Sequence, residues 1–355
     1  MLPKVLLVGC GQMGKAHLSA LQLLQGERKV DSLVAVDNDS SRLASLDGSI
    51  SGYDSLEVAL GSENPQIVVL ATNTAVHGQN IKTILDYALQ KGNSPSLFVE
   101  KPFVESSAEV EKLRSKLERV GYGTTVPLAF AYLIRFSPVV EDAISYLHQT
   151  SVPIKNAEIL WQKKRKPERP SAGIHIDETT HGIDTFCYLL ESSGRKITST
   201  VLEDKKADYD LSIVHAEAQQ RLYGEAHIPM ARVRYRFSID GVSLSGFSSF
   251  LDEPQRREMK LTLADNTTLC LSFDTQKKDI FQRYNSGGQL VETKEYSLDT
   301  PQSNRVYQEL AAMLNYHETT VRPQNLAGLE DAIRDVVVTE VLGREDLVLP
   351  YRFNV

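Results

Sequence analysis

Apolar residues along the chain follow two rhythms. In the N-terminal part they come in short unbroken runs: Lys4-Val5-Leu6-Leu7-Val8, Ser32-Leu33-Val34-Ala35-Val36, Gln66-Ile67-Val68-Val69-Leu70-Ala71-Thr72 and Ser96-Leu97-Phe98-Val99. Runs of that length, apolar on both faces, predict strands buried on both sides, as in a parallel sheet. Between them the apolar positions take helical spacing: Ala16, Leu18, Leu21 and Leu24 after the first run, Leu56 to Leu60 before the third, and His77 to about Gln90 after it. Strand alternating with helix predicts a right-handed α/β sheet with its ligand beyond the carboxyl ends of the strands.

Further on, strict alternation replaces the runs. Val233, Tyr235, Phe237 and Ile239 alternate with Arg234, Arg236 and Ser238, the period of a half-buried strand. Met259-Leu261-Leu263 and Leu269-Leu271-Phe273 do the same on either side of Ala264-Asp265-Asn266-Thr267, a hairpin signal. Asn156 to Lys164 reads as another strand, and Tyr132 to Leu147, Tyr307 to Tyr316 and Leu326 to Leu342 read as helices. Alternation predicts an antiparallel sheet with helices on one face and the other face open. The last two helices should cover that sheet or return to the first domain.

Composition narrows the class. A length of 355 residues suits two domains, and 41% hydrophobic with 24% charged residues describes a soluble globular chain. The net charge of −7 argues against a nucleic-acid partner. Cys10, Cys187 and Cys270 have no metal-ligand spacing, so they predict reduced thiols and a cytoplasmic protein. The apolar N-terminal run belongs to a strand rather than a signal peptide, and no stretch approaches the ~20 apolar residues of a membrane span.

Candidate chemistry starts where the first run ends. Gly9-Cys10-Gly11-Gln12-Met13-Gly14 lies between a predicted strand and a predicted helix. There Gly9 would make the tight turn, Gly11 would let the backbone approach a pyrophosphate, and Gly14 would let helix and strand pack closely. The pyrophosphate would rest on free N–H groups at the helix N-terminus, beside Gln12 and Met13. Asp37 ends the second run and would accept from the adenosine ribose hydroxyls. Taken alone, Asp37 in Asp37-Asn38-Asp39-Ser40 is an ordinary turn aspartate. Behind the glycine fingerprint it predicts NAD, with NADP possible because Ser41 and Arg42 follow closely.

With Glu100-Lys101-Pro102 the chain resembles the glucose–fructose oxidoreductase / inositol dehydrogenase / MocA-type (Gfo/Idh/MocA) family of nicotinamide-dependent oxidoreductases. The resemblance rests on the glycine motif with His17, on Glu100-Lys101-Pro102, on Arg135-Phe136-Ser137-Pro138, and on Asp177-Glu178-Thr179-Thr180-His181-Gly182-Ile183-Asp184. Two positions depart from the family pattern: Asn73 stands where a proline usually follows the third strand, and Thr179 where many members have glycine. The resemblance implies a dinucleotide-binding Rossmann domain over residues 1–125. It also implies an α+β domain over 126–355 with a large, mostly antiparallel, open-faced sheet for substrate binding and oligomerisation, hence a homodimer or homotetramer. It further implies cofactor contacts from Thr72, Asn73, His77, Glu100 and Lys101, a cis Lys101–Pro102 bond, and Lys101, Asp177 and His181 as the catalytic set.

On a regular helix Asp177 and His181 share a face, with Ile183, Phe186 and Leu190 turned to the core. An isolated His181 would more often be a satisfied core histidine, and an isolated Lys101 a solvated lysine. In the implied reaction His181 takes the hydroxyl proton, Asp177 orients the imidazole, and Lys101 donates to the developing alkoxide. No metal is needed, and helical geometry turns Glu178 away from Asp177 and His181. Within Lys163-Lys164-Arg165-Lys166-Pro167-Glu168-Arg169, Arg165 and Arg169 are candidates for an anionic group on the substrate, against a plain solvated edge. The substrate is expected to be a sugar, cyclitol or sugar derivative, with anionic and nucleotide-linked forms included. Reduction of a C=N or conjugated bond, and a non-catalytic dinucleotide sensor, remain as alternatives.

Overall fold

The computed structural model describes residues 2–164, 173–208 and 230–353. They divide into two compact units, Met1–Leu133 with Thr300–Val337, and Ile134–Asp299 with Val338–Val355.

The first unit contains β1 (Lys4–Val8), α1 (Gln12–Gly26), β2 (Ser32–Val36), α2 (Ser40–Ala44), β3 (Ser51–Tyr53), α3 (Leu56–Glu63), β4 (Ile67–Leu70), α4 (His77–Lys91), β5 (Ser96–Glu100), α5 (Ser107–Val120) and β6 (Leu128–Ala131). Its six strands are all parallel, in the order β3-β2-β1-β4-β5-β6. This is the doubly wound dinucleotide-binding order, whose reversal between β1 and β4 opens a crevice at the strands' carboxyl ends. The unbroken runs are buried on both faces because helices cover both sides: Leu6, Val68 and Phe98 have no exposure at all. The C-terminal segment joins this core through Ala327, Ala332 and Val336. Ahead of it, helix Arg305–Thr319 packs on α1, where Tyr307 donates a 2.7 Å hydrogen bond to Glu27.

The second unit contains α6 (Pro138–Thr150), β7 (Ile154–Gln162), α7 (Thr180–Ser192), β8 (Thr200–Asp208), β9 (Arg232–Ile239), β10 (Val242–Ser249), β11 (Arg256–Leu263), β12 (Thr268–Thr275), β13 (Lys278–Tyr284), β14 (Leu290–Ser297) and β15 (Tyr351–Phe353). The strands form one nine-stranded sheet, β14-β13-β12-β11-β7-β10-β9-β8-β15, antiparallel except where β7 runs beside β10. The alternation predicted for β9 holds: Val233, Tyr235, Phe237 and Ile239 face inward and the arginines outward. On the inner face α6 packs over β12–β14 and α7 over β7. On the outer face Glu158, Leu160, Arg234, Ser245, Phe247, Glu258 and Lys260 border a shallow groove of about 450 Å³.

Two helices differ from expectation. Tyr132 to Leu147 is not one helix but a 3-10 turn, Leu133–Phe136, followed by α6. Pro138 explains the break, because a proline disfavours helical backbone at the preceding Ser137 and is itself suited to the first helical position. Asp177 does not open a regular helix either: residues His175–Thr179 form a π turn, and α7 begins at Thr180.

Candidate active site

The glycine loop is built by close approach. Gly9 has φ +95°, and a Cβ there would lie 2.8 Å from the Ala71 carbonyl oxygen at the end of β4. A Cβ on Gly14 would sit 1.9 Å from the Gly9 oxygen, so the first turn of α1 can approach the strand end only as glycine. Gly11 is different: a Cβ there meets nothing within 4 Å. It is also the N-cap of α1 and caps it with no side chain, which leaves first-turn N–H groups of Gln12, Met13 and Gly14 for a ligand. Open space over bare helix-end donors fits a dinucleotide pyrophosphate.

Asp37 borders this loop, 5% exposed. Its Oδ2 accepts from the Cys10 backbone N–H at 2.7 Å and its Oδ1 from that of Asp39 at 2.9 Å. Arg42, half-exposed, reaches the same carboxylate at 3.2 Å. Asp37 therefore ties the glycine loop to the end of β2 while keeping lone pairs for ribose hydroxyls. Burial, then the neighbouring Asp37 charge, push the Cys10 thiol up to about 11, which makes it an inert neutral group.

At the ends of β4 and β5 the predicted residues come together in ways only partly foreseen. The Lys101–Pro102 bond is cis, as the resemblance implied. Glu100 accepts a 2.7 Å hydrogen bond from His17 Nε2 on α1, and its other oxygen accepts from the Lys101 backbone N–H at 3.2 Å. Burial alone would raise the Glu100 pKa, but the His17 hydrogen bond and nearby positive charge outweigh it and hold the carboxyl below its ordinary value. Its carboxylate is thus a bracket between the pyrophosphate helix and the lysine turn. His77 is corrected more sharply. It is fully buried, with Nε2 3.0 Å from the Thr72 carbonyl and Nδ1 3.0 Å from that of Pro102. Burial, partly offset by those carbonyls, lowers its pKa, and the neutral ring donates its one N–H to one carbonyl while the other nitrogen merely packs against the second. It is a strut between the β4 and β5 turns and offers no atom to a cofactor. Asn80 Nδ2 donates to Thr72 Oγ1 at 3.2 Å, while Asn73 begins the short turn Thr74–Val76.

In the second unit, His181 lies in the first turn of α7, 9% exposed and stacked on the Trp161 indole, with ring centroids 6.5 Å apart and planes 26° from parallel. Asp177 belongs to the π turn that leads directly into α7, one turn ahead of His181. Ile183, Phe186 and Leu190 are buried as expected, but so are all residues from Thr180 to Leu190. Two acids of the motif are committed elsewhere. Asp184 takes a bidentate pair from buried Arg135, at 2.9 and 2.5 Å, which assigns the Arg135 motif to structure. Glu178 accepts from Trp161 Nε1 at 3.1 Å and from Arg257 Nη2 at 2.9 Å, and also pairs with Lys163. Arg165 and Arg169 lie outside the described residues.

Trp161, Arg257 and His175 were missed as site neighbours. One signal existed: Arg257 is in phase with Met259, Leu261 and Leu263, a charge at a core position that must have a partner. Trp161, the chain's one tryptophan, likewise needs an acceptor for its buried N–H.

Residues 3–126 match the family described as "Oxidoreductase family, NAD-binding Rossmann fold". Among solved structures, the chain is similar to UDP-N-acetylglucosamine 3-dehydrogenase GnnA from Acidithiobacillus ferrooxidans, with 15% identity, 96% of each chain covered and a TM-score of 0.68. It is similar to myo-inositol 2-dehydrogenase from Lactobacillus plantarum, with 13% identity, 96% of each chain covered and a TM-score of 0.69. It is also similar to the transcriptional regulator Gal80p from Kluyveromyces lactis, with 16% identity, 96% of this chain and 88% of that one covered, and a TM-score of 0.71. At these identities the likeness is one of fold. No curated protein matches the chain.

Proposed function

From the match of residues 3–126 to the NAD-binding Rossmann domain of the Gfo/Idh/MocA oxidoreductase family, we propose that the protein is an NAD(P)-dependent dehydrogenase or reductase. It moves a hydride between nicotinamide and a carbinol or carbonyl carbon of a sugar, cyclitol or sugar derivative. The observation that carries the reading is the glycine loop, open above Gly11 and bordered by Asp37, which is shaped for a dinucleotide. Lys101, Asp177 and His181 supply the chemistry in this proposal. Nicotinamide, when bound, would supply the hydride acceptor or donor. His181 takes the hydroxyl proton on oxidation, Asp177 orients and charge-stabilises the ring, and Lys101 donates to the developing alkoxide. The outer groove of the nine-stranded sheet supports a homodimer or homotetramer through that face. No helix among the described residues is long and apolar enough to cross a membrane. Cys10, Cys187 and Cys270 form no disulfide, which suits a reducing compartment such as the cytoplasm.

The test is an NADH titration followed by a screen of polyols and nucleotide-linked sugars at the nicotinamide absorbance. Native chain is expected to turn over at least one of them. His181→Ala and Lys101→Ala are each expected to lower kcat by roughly 10²-fold or more, with NADH affinity little changed because neither group is needed to hold the pyrophosphate. Near-native turnover in His181→Ala would remove its assigned role. Binding of NADH with no turnover on any substrate would favour a dinucleotide-dependent regulator.

A further inference from the structure

The proposed chemistry needs the His181 ring held in one orientation, and the chain places an expensive polar assembly beside it. Trp161 is 1% exposed, at the end of β7, with its indole stacked on His181 and also packed against Phe273 at 5.6 Å. Stacking restrains the tilt of the indole. Its rotation within the plane is fixed by the Nε1–H donated to Glu178 Oε2. The same oxygen accepts from Arg257, whose other Nη donates to Asp274 at 2.6 Å. Arg257 stands directly across from Trp161 in the β7–β11 register, so the sheet sets the position of this clamp. Its guanidinium carbon lies 5.9 Å from the indole centroid.

A second observation comes from the residue after His181. A Cβ on Gly182 would lie 2.9 Å from Ile159 Cγ2 and 3.5 Å from Trp161 Cε3. Glycine there lets α7 descend onto β7 at the point where His181 meets Trp161. A buried ion pair contributes little net stability compared with an apolar filling of the same volume. Glu178, Arg257 and Asp274 are therefore better explained by the geometry they impose than by packing.

We propose that Trp161 is a positioning residue for His181, its indole plane pinned by the Glu178–Arg257 pair. This rests on the reading of His181 as the proton acceptor, and it deepens that reading by naming the face against which the ring is held while Asp177 orients it. Trp161 itself touches no reacting atom. Its action is on the direction in which the imidazole nitrogens point, and misplacement of a catalytic group by about 1 Å can cost on the order of 10²-fold in rate.

The experiment compares Trp161→Leu, which removes the flat ring, with Trp161→Phe, which keeps a ring but loses the N–H that pins it. The first readout needs no substrate. Imidazole ¹⁵N spectra of the full chain with NADH, with the His181 signal assigned by its loss in His181→Ala, are expected to hold a single tautomer in the native protein. They should become exchange-averaged in Trp161→Leu and be intermediate in Trp161→Phe. The second readout is turnover of the substrate found by the polyol screen: kcat lower by roughly 10²-fold in Trp161→Leu and about tenfold in Trp161→Phe, with KM for NAD unchanged and the acid limb of the kcat–pH profile displaced. If Trp161→Leu fails to fold, Trp161→Phe decides. A native tautomer signal together with native kcat in the folded variants overturns the proposal. Full turnover in His181→Ala would instead remove the catalytic reading, while the tautomer signal would still decide whether Trp161 positions the ring.

Discussion

The glycine loop and the surroundings of His181 are both tight, but they are tight in different materials. In the loop the limiting contacts are main chain: the Ala71 oxygen bounds Gly9 and the Gly9 oxygen bounds Gly14. Around His181 they are side chains brought from β7, β11, β12 and the π turn. A main-chain fit is local, so it must be written within a few residues of sequence. A side-chain fit is assembled through sheet register, so its members are far apart and none is informative alone. At Gly9 and Gly14 the first tolerates no added atom. The second tolerates substitution but loses aim.

The largest effect expected from this contrast is within the loop. Gly14→Ala puts a methyl 1.9 Å from a backbone oxygen, which neither side can yield cheaply. It should cost about 3 kcal/mol of stability, the upper end of ordinary overpacking, or prevent folding outright. Gly11→Ala adds its methyl to open space, so stability should change by no more than about 1 kcal/mol as an N-cap effect. NADH affinity should nevertheless fall, because that space is where a bound pyrophosphate would lie. Thermal unfolding and NADH titration of the two variants separate the cases, and a Gly14→Ala protein that melts and binds like the native one would dissolve the distinction.

A smaller effect sharpens the comparison from the side-chain region. His175, in the π turn, is 7% exposed, and its Nδ1 has no hydrogen-bond partner among the described residues. Burial, with a minor contribution from Lys205 and against the pull of Asp177, lowers its pKa from 6.5 to about 4. The folded state thus binds this proton less readily than the unfolded chain. Stability from His175 is complete above the unfolded value and is lost as pH falls from about 6.5 towards 4, by up to about 1.4 kcal/mol per unit. Below that window it adds no further loss. His175→Gln should flatten the decline of unfolding free energy between those values, measured by urea titration at stepped pH. An unchanged slope would mean that the π turn opens before the imidazole is charged.

The same contrast explains what could be read in advance. β2 was legible to the residue and β1 equally so, since a buried parallel strand is an unbroken apolar run with a glycine or an acid at its end. The close approaches at Gly9 and Gly14 were legible because they are written in consecutive residues, whereas the cis Lys101–Pro102 bond was implied only by the family resemblance. The hidden role of Glu100 was not: its partner His17 is 83 positions away on another element. His77 was placed on the right helix but given the wrong neighbours, because nothing in a helix start reveals that both ring nitrogens will meet carbonyls. The π turn escaped for a different reason, as helical periodicity over His175–Thr179 does not distinguish 3.6 residues per turn from a wider coil. That Thr300–Val337 would join the first unit was one of two possibilities that apolar spacing left open.

The smallest expected effect concerns Asp37, a side chain that ties the main-chain cradle to the end of β2. Its carboxylate holds two backbone N–H groups and is paired with Arg42, whose side chain is 46% exposed. A ribose 2′-hydroxyl can donate to such a carboxylate, whereas a 2′-phosphate would meet like charge at close range. Native protein is therefore expected to bind NADH more tightly than NADPH. In Asp37→Ser the charge is gone, a hydroxyl remains to accept from one backbone N–H, and Arg42 is released towards the phosphate. The ratio of NADPH to NADH affinity should rise about tenfold, equivalent to about 1.4 kcal/mol. Adding Arg42→Ala should reverse most of that gain, since the guanidinium would then be missing from the phosphate side. Fluorescence titration with the two reduced cofactors measures all three proteins without a substrate. A native preference for NADPH would mean that the Arg42 guanidinium, and not the Asp37 carboxylate, governs the 2′ position.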